Sequence, residues 1–203
     1  MSLDSLKKES APWPDKKPDI PFNEGGWFPK ANQSMLSRFL SDKTGIVVEL
    51  GSWIGLSTRW ILDKAPKATV IAIDHWLGGK ENAGDPLLPV LHETFMSNCW
   101  AHKDRLVMLK METLKGLDLL YDKKVHPDLF YVDAGHDYES AKGDVKKATR
   151  FKCPLVGDDF NPNAWEGVVR AVWEEATEAE RDLFVVGSAW CIPKKGEACP
   201  PSP

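Results

Sequence analysis

The sequence contains no long apolar run, no closely spaced cysteine pair and no excess of basic residues. None of its apolar runs approaches the ~20 residues that a membrane-spanning helix needs. The N-terminal segment also lacks the apolar stretch of a signal peptide. Lys and Arg number 26 against 30 Asp and Glu, and the formal net charge of −4 disfavours strong nucleic-acid binding. These absences predict a soluble, cytoplasmic protein that binds neither membranes nor nucleic acids.

The cysteines are few and far apart. The chain has 4 of them and no C-x-x-C pair, which disfavours a structural zinc site or a dithiol redox motif. A chain of this length does not need disulfides to fold, so we expect free and mostly buried thiols. The four residues are Cys99, Cys153, Cys191 and Cys199.

The length and composition suit one domain with a substantial core. The chain has 203 residues, of which 42% are hydrophobic and 28% are charged. Residues 1–21 are rich in Lys, Pro, Asp and Ser, which predicts a flexible N-terminal arm. Residues 22–193 are the predicted single domain, and residues 194–203 are the predicted C-terminal tail.

Short apolar runs with little polar alternation recur along the predicted domain and are separated by helical stretches. Such runs suit strands buried on both faces, and helical connections suit parallel crossovers. The last two runs are separated only by Gly187-Ser188, so they should pair antiparallel. The sequence predicts an α/β fold: a Rossmann-like open sheet, mostly parallel with an antiparallel last strand, and helices on both faces. The predicted strands are Ile46–Leu50, Ala68–Ile73, Leu106–Leu109, Leu129–Val132, Pro154–Val156, Leu183–Val186 and Ala189–Ile192.

Acidic residues stand at or next to the ends of four of these strands. The carboxyl ends of parallel strands meet at one edge of an open sheet, where ligands bind. Asp also favours turns, which explains any single one of these acids, but their repetition favours a binding site. The acids are Glu49, Asp74, Asp133, Asp158 and Asp159.

The most informative loop follows the first predicted strand. Gly51 permits a sharp turn there, and Gly55 lets the next helix pack closely. A dinucleotide site has a G-x-G-x-x-G pattern, but Trp53 replaces the middle glycine and obstructs a pyrophosphate. The loop therefore favours a nucleoside ligand without phosphate over a nicotinamide dinucleotide.

Two acids suit the ends of such a ligand. Asp74 is placed to accept hydrogen bonds from the hydroxyls of a ribose, and Glu49 is placed to face an ammonium group. A ligand with a ribose, an adenine and an amino-acid tail, but no phosphate, is S-adenosylmethionine.

These segments resemble the class I S-adenosylmethionine-dependent methyltransferases, and most closely their small O-methyltransferase branch. The first motif of that branch is E-[LI]-G-x-x-x-G-x-S-T. The other matches are to its second motif, to the loop after its third strand and to its D-G-x-H-x-Y motif. In that order, the matching segments are Glu49–Thr58, Val70–Trp76, Lys110–Leu114 and Tyr131–Tyr138.

The resemblance covers residues 45–192 and includes two departures from the family pattern. Ala134 and Gly135 give A-G where the fourth motif has G-x, and Met111 stands where a glycine is common. Neither departure removes a functional side chain, although Met111 narrows the space expected for the adenine.

The resemblance implies which residues serve the cofactor and the reaction. It places Glu112 and Thr113 near the adenine. It implies that Asp133 and the pair Asp158-Asp159 hold Mg²⁺, as in metal-dependent sugar and catechol-type relatives. His136 is the predicted general base for a hydroxyl of a small-molecule acceptor, with Asp133 as its catalytic neighbour. The predicted cofactor-binding residues are Glu49, Gly51, Ser52, Trp53, Gly55, Ser57, Asp74, His75, Trp76, Glu112, Thr113 and Asp133.

Several alternatives stay open at the level of sequence. A metal-independent N-methyltransferase and a non-catalytic S-adenosylmethionine-binding protein both fit the cofactor motifs, and a nicotinamide oxidoreductase fits them less well. Asp158-Asp159 could cap the following segment instead of binding metal, and His136 could be a structural histidine. Proteins of this fold often pair, so a homodimer is also compatible with the sequence.

Two further segments are candidates for covering the site. The stretch 77–100 is long for a connection and contains several Gly and Pro residues, and the stretch 22–28 contains Gly25-Gly26 and two aromatic residues. Both are equally well explained as surface loops. Trp53, Trp76 and Trp165 lie in or near the predicted edge loops and suggest an aromatic wall.

Overall fold

A single seven-stranded sheet organises the chain, which a computed structural model describes over residues 3–199. Every predicted strand is present, with bounds that differ by no more than one residue at either end. The strands are β1 (Ile46–Leu50), β2 (Thr69–Asp74), β3 (Leu106–Lys110), β4 (Leu129–Val132), β5 (Leu155–Gly157), β6 (Phe184–Val186) and β7 (Ala189–Ile192).

The strand order across the sheet is β3-β2-β1-β4-β5-β7-β6. The first five strands pair in parallel, whereas β7 is antiparallel to both β5 and β6. The direction of winding reverses between β1 and β4, and ligands bind beyond the carboxyl ends of the strands at such a point. The predicted fold class, a mostly parallel Rossmann-like sheet with antiparallel final strands, is confirmed.

Helices connect the strands and cover both faces of the sheet. Three short 3₁₀ helices lie between β2 and β3, at Lys80–Asn82, Leu88–Val90 and Trp100–Arg105. Within residues 3–199, no helix is both long enough and apolar enough to cross a membrane. The α-helices are α1 (Leu3–Lys7), α2 (Lys30–Ser37), α3 (Leu56–Lys64), α4 (Leu91–Cys99), α5 (Thr113–Asp122), α6 (Tyr138–Thr149) and α7 (Glu166–Glu178).

Apolar side chains pack on both faces of the sheet. In β1, Val48 and Leu50 belong to a cluster with residues of α5, α6 and α7, while Val47 belongs to a cluster with residues of α2, α3 and α4. Alternate residues of a strand point to opposite faces, so one strand supplies both clusters. This two-sided burial explains why the strands appear in the sequence as continuous apolar runs.

The N-terminal segment is attached to the domain. Leu6 has no solvent exposure and packs in the same cluster as α5. The N–H group of Ala11 donates to the carbonyl of Met108 at 2.7 Å. Leu6, within the predicted flexible arm, therefore belongs to the core; one apolar residue in a polar segment gives no periodic signal in the sequence. Residues 1–2 of the predicted arm and 200–203 of the predicted tail lie outside the described residues.

Candidate active site

The polar residue inside β1, Glu49, is fully buried and organises the loop that follows it. Its carboxylate accepts hydrogen bonds from Ser52 Oγ and Ser57 Oγ, each at 2.6 Å, and from Thr58 Oγ1. Burial raises the pKa of Glu49, and the three hydroxyl groups oppose that rise by stabilising the charged form. Glu49 therefore ties β1 to its loop and to the first turn of α3.

One carboxylate at the end of β2 holds two loops together. Asp74 Oδ2 accepts from the N–H groups of Ser52 at 2.9 Å and Trp53 at 3.0 Å, and its Oδ1 accepts from the N–H of Trp76 at 2.6 Å. Trp53 and Trp76 have φ angles of 47° and 52°, which are costly for bulky side chains. The hydrogen bonds to Asp74 offset that cost, so the loops after β1 and β2 are held in place without a ligand.

Two glycines permit close approaches that a side chain would block. Gly51 has a φ of 80°, and a Cβ atom there would lie 1.9 Å from the carbonyl oxygen of Asp133. Gly55 has a φ of 84°, and a Cβ atom there would lie 2.3 Å from Cys99 Sγ. Gly51 thus brings the loops after β1 and β4 together, whereas Gly55 allows the start of α3 to pack on α4.

A cavity of about 660 Å³ lies between these loops and those after β4 and β5. This volume is within the usual range for small-molecule sites. Seven carboxylate residues line it, and none of its lining residues within 3–199 is a Lys or Arg. Most of the predicted cofactor residues border this cavity. They are Gly51, Ser52, Trp53, Ser57, Asp74, His75, Glu112, Thr113 and Asp133.

Three of the predicted cofactor residues, Glu49, Gly55 and Trp76, do not line the cavity. The Glu49 carboxylate is buried behind the serine hydroxyls, so it does not face a ligand's ammonium group. Gly55 faces α4. Trp76 is 2% exposed and packs against Phe95, with ring centroids 4.8 Å apart. The positive φ of Trp76 accompanies this placement of its ring in the core.

An acid–histidine cluster borders the cavity beside β4 and β5. Potential ligand atoms of Asp133, His136 and Asp159 all lie within 4.8 Å of one another. His136 Nε2 lies 3.0 Å from Asp159 Oδ2, its Nδ1 lies 3.0 Å from Glu81 Oε1, and its ring stacks on Trp165 with centroids 4.2 Å apart. Burial lowers the pKa of His136, but Asp159, Glu81 and Asp133 outweigh burial and raise it overall. The imidazole thus lies between two carboxylates, with one face against the Trp165 ring.

Asp133 is crowded by other carboxylates. Burial first, and then repulsion from Asp159 and Asp158, holds its pKa well above the usual value. Tyr131 Oη donates to Asp133 Oδ2 at 3.0 Å, and Asn32 Nδ2 donates to Tyr131 Oη at 3.0 Å. This chain of hydrogen bonds orients the Asp133 carboxylate but does not neutralise it.

Asp158 is not part of the close cluster, which differs from the predicted trio. Its Oδ1 accepts hydrogen bonds from Ser188 Oγ at 2.6 Å and from the N–H of Asp159 at 2.7 Å. Asp159 has a φ of 66° and contacts His136. The structure thus groups Asp133 and Asp159 with His136, while Asp158 lines the cavity and supports the loop.

The cluster offers donor atoms that suit a divalent cation. Asp133 and Asp159 provide the hard carboxylate oxygens that Mg²⁺ prefers, and an imidazole is a common ligand of transition-metal ions. Carboxylates this close repel one another, and a cation between them removes that repulsion. The residues present therefore fit a bound Mg²⁺.

Several residues that line the cavity were not predicted as site residues, among them Glu81, Trp27 and Asp144. Glu81 belongs to the long stretch after β2, and Trp27, which is 74% exposed, belongs to the stretch before α2. Their glycine-rich surroundings were the only sequence signal. Asp144 lies within α6, where no local motif distinguishes it from a surface acid.

The chain matches a known family over the segment that builds much of this cavity. The family's sequence model, described as a methyltransferase domain, matches residues 48–160, which is more than half of the chain. The chain belongs to the methyltransferase-domain family. This confirms the resemblance to class I S-adenosylmethionine-dependent methyltransferases. No curated protein matches this methyltransferase domain in sequence.

Solved structures share the fold of this methyltransferase domain at low sequence identity. CalS11, a calicheamicin methyltransferase, is 16% identical with a TM-score of 0.59, and the match covers 83% of this chain and 78% of that one. The MycE methyltransferase from the mycinamycin pathway, in complex with Mg and SAH, is 13% identical with a TM-score of 0.58; the match covers 86% of this chain and 51% of that one.

A third similar structure belongs to a protein named for a different process, pre-rRNA processing. It is a fibrillarin pre-rRNA processing protein from Methanococcus jannaschii, 14% identical with a TM-score of 0.55, and the match covers 82% of this chain and 76% of that one. At these identities the similarity shows the fold alone. The acceptor must therefore be argued from the site of this methyltransferase domain.

Proposed function

We propose that the protein transfers the methyl group of S-adenosylmethionine to a hydroxyl of a small molecule, with Mg²⁺ assisting. One observation carries this proposal: the loops fixed by Asp74 and the cluster of Asp133, His136 and Asp159 border the same cavity. A cofactor and an acceptor can therefore meet in one enclosed space.

The cofactor is proposed to occupy the side of the cavity nearest β1, β2 and β3. Asp74 has two carboxylate oxygens at this edge, and each retains acceptor capacity for a ribose hydroxyl. Ser57 borders the cavity at the start of α3, where the helix dipole favours a carboxylate such as that of the methionine tail. Glu112 and Thr113 border the expected position of the adenine.

Asp133 and Asp159 are proposed to hold Mg²⁺, with His136 beside them. When bound, the ion lowers the pKa of a coordinated hydroxyl and so makes it a better nucleophile. The chain's own residues do the rest. Tyr131 orients Asp133, and the loop that Asp158 supports positions Asp159.

His136 is proposed to accept the proton of the acceptor hydroxyl. The hydroxyl oxygen attacks the methyl carbon, the carbon–sulfur bond breaks, and the electron pair returns to sulfur, leaving S-adenosylhomocysteine. Glu81 and Asp159 flank the imidazole and stabilise its protonated form. The enzyme's main task is to align the two reactants, because the sulfonium is already activated.

The acid–histidine cluster also separates this proposal from its alternatives. A protein that only binds S-adenosylmethionine has no use for carboxylates held close enough to repel one another. A metal-independent N-methyltransferase has no use for the metal-ligating geometry either. The absence of Lys and Arg from the described cavity lining further favours a neutral or cationic acceptor over a phosphorylated one.

The proposal is tested by binding first and by turnover second. Calorimetry should show that S-adenosylhomocysteine binds and that NAD does not. Mass spectrometry should then detect methylated products from a panel of sugars, phenols and polyketides with Mg²⁺, and no product in excess chelator. Tight NAD binding, or methylation that chelator does not affect, would overturn the cofactor or the metal assignment respectively.

A further inference from the structure

Two of the four thiols of the chain lie next to each other beyond the last strand of the sheet. Cys191 is fully buried in β7, and Cys199 is partly buried in the segment that follows that strand. Their Sγ atoms are 3.8 Å apart, which is a contact between two free thiols. The sulfur atoms of a disulfide lie about 2.05 Å apart, so a movement of roughly 2 Å would bring this pair to bonding distance.

The segment between the two cysteines allows that movement. Residues 194–198 are all exposed, and the N–H of Glu197 donates to the carbonyl of Lys194 at 2.9 Å to close a turn. Gly196 in this turn has a φ of 80°, and a Cβ atom there would meet nothing within 4 Å. Few packing contacts therefore oppose a shift of this segment. Cys191 stays in place because β7 is paired on both sides, so Cys199 is the residue that moves.

The surroundings of the two thiols assign their order of reaction. Burial raises the pKa of Cys191, and the neighbouring Cys199 thiol raises it further. Cys199 is the more exposed of the two, and Arg38 Nη1 lies 3.8 Å from its Sγ. Partial exposure beside a cation is typical of cysteines that attack disulfides. Cys199 is therefore the attacking thiol, and Cys191 is the thiol that closes the bond.

We infer that Cys191 and Cys199 form a reversible disulfide that fastens the segment after β7 to the sheet. The oxidant is a low-molecular-weight disulfide. The Cys199 thiolate attacks one of its sulfur atoms, so that one small thiol leaves and a mixed disulfide remains. Cys191 then loses its proton and attacks Cys199 Sγ, and the second small thiol leaves. The two cysteines together lose two electrons and two protons, which the small disulfide gains in becoming two thiols.

Ordinary packing is the competing explanation for the contact between these thiols. A free cysteine behaves as a small apolar residue, and both cysteines pack with the cluster on the face of α2, α3 and α4. Thiols that only fill space would stay reduced when the folded protein meets the oxidant. Cys153 offers a matched control, because it is 2% exposed and belongs to the cluster on the other face of the sheet.

The test exposes the folded full chain to oxidised glutathione and then blocks the remaining thiols with N-ethylmaleimide in denaturant. Intact mass spectrometry counts the blocked thiols and any glutathione adduct, and peptide mapping locates the bond. The proteins are the wild type, Cys191→Ser, Cys199→Ser and the control Cys153→Ser. Thermal unfolding before oxidation checks that each variant is folded.

We expect the oxidised wild type to lose two hydrogen atoms, to keep two thiols for blocking and to contain the bond between Cys191 and Cys199. Cys153→Ser should form the same bond. Cys191→Ser should stop at a glutathione adduct on Cys199, because the closing thiol is missing. Oxidation should raise the melting temperature of the wild type by about 5 °C, since the bond restricts the unfolded chain, and dithiothreitol should reverse that rise.

Three outcomes would refute the inference. They are four blocked thiols in the oxidised wild type, a bond between any other pair, and a glutathione adduct that persists in the wild type without the closed bond. These readouts come from the wild type, so they hold even if Cys191→Ser does not fold. Neither cysteine lines the cavity, so the proposed methyl transfer does not depend on this bond.

Discussion

The two halves of the cavity differ in how well their charges are satisfied. On the side of β1 and β2, Glu49 accepts three hydroxyl hydrogen bonds and Asp74 accepts three backbone ones. On the side of β4 and β5, Asp133 and Asp159 lie close together, and burial followed by repulsion from Asp159 and Asp158 raises the pKa of Asp133. The first half is complete by itself, whereas in the second half the described residues set several carboxylates against a single histidine, His136.

This difference indicates that the first half maintains the shape of the site, whereas the second half holds the groups that would act in the reaction. Carboxylates that are fully hydrogen-bonded hold loops in fixed conformations and bind a ligand without rearrangement. Carboxylates that repel one another store unfavourable energy that a bound cation releases. We therefore expect substitutions in the first half to act on stability and cofactor affinity, and substitutions in the second half to act on metal binding and turnover.

Glu49→Ala should have the largest effect, on the free energy of unfolding. The change leaves the hydroxyls of Ser52, Ser57 and Thr58 without their shared acceptor in the protein interior. We expect a loss of about 3–4 kcal/mol in urea unfolding, since buried networks of this kind are costly to break. Glu49→Gln keeps the shape and one acceptor oxygen and should lose less. Equal stability of the wild type and Glu49→Ala would show that the network is dispensable.

Asp159→Asn should lower metal-stimulated turnover by about 100-fold, which is about 2.7 kcal/mol. It should also abolish the rise in melting temperature that Mg²⁺ gives the wild type, a readout that needs no acceptor. Asp158→Asn is the matched comparison, since Asp158 is engaged with Ser188, and it should retain part of both effects. If Asp158→Asn reduced turnover and the Mg²⁺-dependent rise in melting temperature more than Asp159→Asn does, Asp158 would be the metal ligand in place of Asp159.

The pH dependence of the free energy of unfolding should reveal the ionisation of Asp144, which belongs to neither of the two halves of the cavity compared above. Its pKa is raised by burial from 3.8 to about 7 in the folded state, so the folded protein holds a proton that the unfolded chain has lost. Stability should therefore fall as the pH rises from about 4 to 7. Asp144→Asn should remove this fall. The free energy of unfolding of the variant, relative to that of the wild type, should be roughly 2 kcal/mol higher at pH 8 than at pH 4. Parallel unfolding profiles for the two proteins across this range would contradict the assignment.

Asp74→Ala should have the smallest of these effects, a loss of about tenfold in affinity for S-adenosylhomocysteine, or 1.4 kcal/mol. The change removes a ribose acceptor and also frees the strained loops at Trp53 and Trp76. Asp63→Ala, an exposed acid on α3, controls for the loss of one negative charge. Calorimetry measures both variants, and equal affinities would remove Asp74 from the cofactor site.

Much of the fold was predictable because the signals involved are local. The strand beginning at Ile46 agrees with the prediction, since an apolar run acts over a few positions. The order of acids at the strand ends followed from the same runs. Leu6 was missed because the other members of its cluster lie far away in sequence.

The candidate site was predictable in position but not in detail. The loops that border the cavity were identified, yet Glu49 and Trp76 are buried outside its lining, and Glu81 and Asp144 were missed. A motif states which residue types occupy a loop. It does not state which side chains face the ligand, because that depends on dihedral angles and on distant packing partners.

The sequence by itself determined the strands, the fold class and the edge of the sheet where the acids gather, because hydrophobic periodicity and strand direction suffice for these. Only the tertiary structure decided which acids share a cavity and in what state. Trp53 and Trp76 adopt positive φ angles that bulky side chains disfavour, and Asp159 also has a positive φ. Hydrogen bonds from Trp53 and Trp76 to Asp74, and the contact of Asp159 with His136, accompany those angles. Contacts between residues of different loops and strands thus place the Glu49 carboxylate in the core and the Asp159 carboxylate against His136.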